Sequence, residues 1–145
     1  MEILNSREKK KLSKLIKNQF GCTFKIDFEV FRNQKNKIFI LNKAVSKVNF
    51  DELRINSLGL YFGEINNNEL RLSIEGSQIF GKKATKNVLE LDDELAKKWM
   101  SGEDIRVNTD LGGFVIIKNN NDFLGCGRVV DNKLLNYVPK ERRIH

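Results

Sequence analysis

Residues 123–130 read Phe123-Leu124-Gly125-Cys126-Gly127-Arg128-Val129-Val130, two glycines set two apart in an apolar run. Such a pair belongs either to a loop that cradles phosphate or to a β-strand, and the choice decides the fold. A dinucleotide fingerprint needs three glycines between a strand and a helix, and a P-loop needs a closing Gly-Lys-Ser/Thr. Neither is present. RVVD and a further apolar run follow directly, leaving no room for a crossover helix. Gly125 and Gly127 therefore share one face of a strand, where missing side chains let the strand bend hard or let another backbone approach closely, as a small closed barrel requires.

Working outward, GGFVIIK precedes this strand across the turn Asn119-Asn120-Asn121-Asp122, and KLLNYV follows it. Upstream, KNVLEL reads as a strand. Asp92 then caps a helix with Asp93 and Glu94 in its first turn, Lys97 and Lys98 near its end and Gly102 as its stop. The acidic trio is accounted for by capping and the helix dipole, because adjacent helix positions diverge instead of converging on a ligand. Trp99, on an amphipathic helix, reads as core, with base stacking as the alternative for it and for Tyr137.

The first half reads differently. Ser6 caps a helix carrying Leu12, Leu15, Ile16 and Phe20 on one stripe, Arg7, Lys10, Lys14 and Lys17 on the opposite face, and Gly21 at its end. FKIDFEVF alternates, so residues 24–41 predict a hairpin, and a short helix is expected over about 42–53. A second hairpin turns at Asn66-Asn67-Asn68, since Asn tolerates the positive φ of tight turns, and IEGSQIFG predicts another short helix. The pattern changes over 70–85 with no Pro/Gly/Ser-rich linker, which predicts two units packed together.

The 145 residues are 40% hydrophobic with ten Phe, enough for a real core. Cys22 and Cys126 lack a second Cys or His at ligand spacing, so both are expected reduced and buried. The one His is His145, leaving no internal imidazole for a nucleophile–base pair or a His-based metal site. No membrane span or secretory signal is read, and a soluble, cytoplasmic protein without a membrane partner is expected. The net charge of +7 favours polyanionic partners. Fourteen basic against nine acidic residues put +5 in residues 1–81, and twelve against ten put +2 in residues 82–145.

KNVLELDDELAKKWMSGEDI, GGFVIIKNNNDFLGCGRVV and NYVPKERRI together resemble the PUA domain, with WMSGEDI (99–105) and LGCGR (124–128) as the matching motifs. The first half, above all GLYFGE followed by LRLS, looks like the pre-PUA domain of two-domain ribosome-biogenesis factors of archaea and eukaryotes. The ending also looks like PUA extensions of NOL/NOP/Sun RNA cytosine methyltransferases. The resemblance implies an α+β chain: an N-terminal α/β pre-PUA domain (1–82) packed on a C-terminal PUA pseudo-β-barrel (83–145). It implies binding of structured rRNA or tRNA, in ribosome biogenesis or RNA modification, through Lys97, Lys98, Ser101 and Gly102. Charge adds Arg128, Lys140, Arg142 and Arg143. Lys97 and Lys98 also suit the helix dipole, Arg128 also suits a pair inside the barrel, and an exposed tail is often simply solvated. Glu103 and Asp104 confine phosphate contact to one side of the glycine turn. No catalysis, cofactor or metal is expected; the alternative is an adaptor that docks an RNA methyltransferase or a ribosome-assembly factor.

Overall fold

A computed structural model of the chain describes residues 2–41 and 59–145. Helix α1 spans Ser6–Phe20. Asn5, not Ser6, is its cap: the Glu8 N–H donates to Asn5 Oδ1 at 2.9 Å while the Asn5 N–H donates to Glu8 Oε1 at 3.2 Å. Both residues are good caps, but only from position 5 does a glutamate fall three residues on, where it returns the bond. Leu12, Ile16 and Phe20 are buried, and Arg7, Lys10, Lys14 and Lys17 are exposed.

The first sheet is an antiparallel meander, β1 (Glu2–Ile3), β2 (Glu29–Arg32), β3 (Lys37–Leu41), β4 (Leu60–Asn66) and β5 (Glu69–Leu72), in sequence order. Phe24, Ile26 and Phe28 pack on the core as their alternation predicts, yet the β2–β3 ladder stops at the pair Glu29–Leu41, so the hairpin is shorter than 24–41. The helix expected over 42–53 lies outside the described residues. Asn67 and Asn68, at φ 53° and 60°, make the predicted β4–β5 turn. Ser73 then caps α2 (Ile74–Gly81) through the Gly76 N–H at 2.9 Å.

The second sheet has the order β6 (Val88–Glu90), β8 (Gly113–Asn119), β9 (Asp122–Val130), β10 (Lys133–Leu135), β7 (Ile105–Arg106). Only β6 and β8 run parallel; between them in the chain lie α3 (Asp93–Met100) and β7. This sheet curls around α3, whose fully buried Trp99 shares a core with Ile105, Val115, Ile117, Val129 and Leu134. Ile116 and Cys126 point the other way, into a core with Phe20, Phe62 and Phe80 of the first unit. Strand β8 reads as an unbroken apolar run because both its faces are covered.

The end of α1 holds the two units together. The Gln19 side chain exchanges bonds with the Leu70 N–H (2.6 Å) and C=O (2.9 Å), while the Thr85 N–H donates to Phe20 O at 2.8 Å. Asn87, at φ 57°, accepts from the Ile116 N–H at 2.8 Å. The passage from first to second unit is thus bonded on both sides, consistent with the absence of a linker composition.

The glycine pair is architectural. Gly125, at φ +144°, sits opposite a register shift at Ile117/Lys118, a backbone that L side chains rarely adopt. At Gly127 a Cβ would lie 2.6 Å from Trp99 Cη2 and 2.7 Å from Leu134 Cδ1. The close approach is chiefly that of the indole, not of another backbone.

Candidate nucleic-acid interface

Helix α3 begins at Asp93 because the Asp92 carboxylate accepts from the Leu95 N–H at 2.8 Å. Its eight residues bury Ala96 and Trp99 and leave Lys97 and Lys98 exposed in the last turn. Ser101 Oγ donates to Lys98 O at 2.8 Å, and Gly102, at φ +97°, reverses the chain. Asn136 fixes this end by donating to Trp99 O (2.7 Å) and Glu103 O (2.9 Å).

The tail folds onto the same place. The Ile144 N–H donates to Met100 O at 3.0 Å, and Arg143 Nε donates to Val138 O at 3.1 Å. The Gly102 φ of +97° favours glycine at this position, and a Cβ there would lie 2.5 Å from that Nε and displace the Arg143 side chain. Lys97, Lys98, Ser101, Gly102 and Arg143 therefore surround one helix end. Lys140, exposed in a 3-10 turn (Lys140–Arg142), lies one turn before Arg143.

The remaining cations predicted from charge are differently placed. Arg142 Nη1 lies 2.6 Å from Glu75 Oε1 in the first turn of α2, tying the tail to the first unit. Arg128, on β9, has its guanidinium 5.5 Å over the Phe114 ring and a buried Nε without a partner among the described residues. Of the two acids beside the glycine turn, Asp104 accepts from the Asn136 N–H at 2.8 Å and lies 3.8 Å from Lys133 Nζ. Glu103 approaches Ser101 Oγ at 3.4 Å. The acidity of this turn is thus partly taken up internally.

Sequence reasoning missed the cleft between the sheets. Arg71 of β5 lies 4.5 Å over the Tyr137 ring, Tyr137 is 6.0 Å from Phe114, and Lys37 is 5.6 Å over Tyr61. Cations and rings alternate along this face. Alternation in ELRL turns Arg71 away from Leu70 and Leu72, but nothing local says that it meets a residue sixty-six positions on. Arg71 also pairs with Glu64. Burial pushes the Glu64 carboxyl up, but hydrogen bonds from Asn66 and Arg71 and the charges of Arg71 and Lys37 outweigh it and hold it below the usual range. Burial, aided by Glu64 and opposed by Arg71, raises the Tyr61 phenol. On another part of the surface a cleft of about 830 Å³ is lined by Lys82, Lys86 and Lys118 and by no carboxylate.

Trp99 Nε1 is the other buried polar side-chain atom without a partner among the described residues. Burying an indole removes roughly 200 Å² from water, about 5 kcal/mol at ~25 cal/mol per Å². An unsatisfied N–H costs about 1–3 kcal/mol, so the anchor holds even with its donor empty. Cys126, beside the cleft between the sheets, is buried, and the resulting desolvation pushes its thiol up to about 12, so it is neutral near pH 7.

Among the described residues no group of His, Cys, Asp or Glu converges as a metal site, and no helix is long and apolar enough to cross a membrane. Residues 86–144 match the family described as the methyltransferase RsmF PUA domain. The chain is similar to ribosomal RNA small subunit methyltransferase F of Vibrio cholerae serotype O1 (strain M66-2), 24% identical over 136 residues, covering 93% of this chain and 28% of that protein. It is also similar to the protein of that name from Aeromonas salmonicida (strain A449), 32% identical over 91 residues, 62% of this chain and 19% of that one. The chain thus spans less than a third of the length of these curated relatives. Its C-terminal unit, with α3 wrapped in a curled sheet and the LGCGR strand seated on Trp99, is similar to the PUA domain of the RsmF methyltransferases.

Proposed function

We propose that the chain attaches to structured RNA, small-subunit ribosomal RNA first among candidates, and performs no bond-making itself. The observation that carries this reading is the PUA match over 86–144, in which the end of α3 presents Lys97 and Lys98 exposed and outside any ion pair among the described residues. Lysines so placed neutralise phosphates and release counterions, and the rigid curled sheet fixes their spacing against A-form shape. Lys140 extends the same patch, and the carboxylate-free cleft of Lys82, Lys86 and Lys118 offers a second run of cations. Residues 1–82 act as the pre-PUA unit and 83–145 as the PUA unit, a division supported by the end of α2 at Gly81 and the start of the match at residue 86. The relatives are named as methyltransferases; in this reading the chain supplies RNA attachment for rRNA modification and the methyl transfer resides elsewhere.

Fluorescence anisotropy with a small-subunit rRNA hairpin tests this. With about four phosphate contacts, affinity falls about a hundredfold between ~50 and ~200 mM salt. Absent or salt-independent binding would remove the reading.

A further inference from the structure

We infer that the cleft between the two sheets, floored by Trp99, receives one unpaired nucleobase of the bound RNA. This rests on the RNA-binding reading and adds a site to it, distinct from the lysines of α3.

The cleft has a volume of about 390 Å³, within the range of small-molecule pockets, and its lining includes Tyr61, Arg71, Ile74, Trp99, Gly125 and Tyr137. Trp99 is fully buried, and its Nε1–H finds no acceptor among the described residues. The orientation of the indole is fixed by the two glycines. Its Cη2 edge is pressed toward Gly127, inside the curled sheet, whereas its Nε1 edge lies 3.9 Å from where a Gly125 Cβ would stand. That Cβ would also be 3.5 Å from Ile74 Cγ1, on the cleft wall. Gly125, by its φ of +144°, admits no ordinary side chain, so no side chain from that position stands between the buried donor and the cleft.

The charges select the ligand. Lys37, Arg71 and Arg142 line the cleft with Glu75 and Glu141. Arg71 is paired with Glu64 and Arg142 with Glu75, so the cleft is nearly balanced and suits a bare phosphate poorly. A flat, neutral heteroaromatic with an acceptor on its edge suits it well. The Tyr137 ring and the Arg71 guanidinium give stacking surfaces, and Trp99 Nε1–H donates to a ring nitrogen or exocyclic oxygen. A base inside a duplex has neither face free, so the base must be bulged, looped or terminal.

Trp99 is the one tryptophan of the chain, so its indole N–H resonance and its emission report this site alone. The full chain is titrated with two rRNA hairpins that differ by one bulged nucleotide. Both bind through the lysines; the bulged hairpin binds about tenfold tighter, shifts the indole N–H resonance and quenches emission, and the paired one leaves both unchanged. Tyr137→Leu, a change at a half-buried ring, removes the tenfold preference and keeps the affinity for the paired hairpin. Equal affinities with an unmoved indole, or an indole that responds alike to both hairpins, overturn the pocket while RNA binding stands. If neither hairpin binds, the RNA reading fails, and the pocket with it.

Discussion

The two lysines at the end of α3 and four of the arginines carry the same charge and hold it in different ways. Lys97 and Lys98 stand exposed on a helix turn fixed from beneath by Trp99 and Asn136. Arg71, Arg128, Arg142 and Arg143 are each committed within the molecule: to Glu64 and the Tyr137 ring, to the Phe114 ring, to Glu75, and to Val138 O above Gly102. A planar guanidinium with a fixed fork of donors suits carboxylates, carbonyls and aromatic faces, whereas an ammonium is a compact hydrated point charge. Net charge read from a sequence therefore overstates the charge available to a partner. Arg71 and Arg142 are the clearest cases, each held by a carboxylate.

The most forceful way to break this contrast is to unseat α3. Gly127→Ala drives a methyl group into Trp99 Cη2 and Leu134 Cδ1 and is expected to cost about 1–3 kcal/mol, read as a lower urea midpoint at unchanged slope. Unchanged stability would mean that the indole does not fix the helix end. Next, Lys97→Ala with Lys98→Ala should reduce the slope of log affinity against log salt by about 2 while leaving the midpoint alone. Arg142→Ala provides the counterpart. Its exposed pair with Glu75 is worth at most about 1 kcal/mol, and losing it should leave the salt slope where it was. A slope that answered to Arg142 and ignored the two lysines would invert the contrast.

What the sequence disclosed and what it hid divide along the same line. Elements whose cause is local were legible: the Asn67-Asn68 turn, the Asp92 cap, the short helix over IEGSQIFG, the Gly21 and Gly102 stops and the strand reading of LGCGR. The cap of α1 moved by one residue because the decision lay in a bond returned by Glu8, and the hairpin after it shortened because alternation reports burial, not pairing. Lys97, Lys98, Ser101 and Gly102 could be brought together from sequence since they share two turns of chain. The commitments of the arginines could not. Arg142 meets a glutamate sixty-seven positions away, and Arg71 meets Tyr137 only because the two units pack. Nor does any local pattern reveal that the buried Trp99 Nε1–H lacks an acceptor among the described residues.

The smallest effect gives the sharpest version of the contrast. If Arg71 is silent toward RNA because Glu64 holds it, then Glu64→Gln should release it, steepening the salt slope by up to about 1 as one more cation reaches phosphate. The same substitution has a stability signature with a definite sign. Because the Glu64 carboxyl is held below its usual value, its ionised form is favoured by folding; that contribution is complete above about 4.5 and is lost as pH falls through the lowered folded value. The wild-type urea midpoint should therefore exceed that of Glu64→Gln by a margin worth less than ~1 kcal/mol at neutral pH, with the margin closing below about 4.5. A steeper salt slope with no acid-dependent margin would mean that Glu64 repels phosphate without holding Arg71. The margin without the slope would mean that the Tyr137 ring, and not the carboxylate, keeps the guanidinium in place.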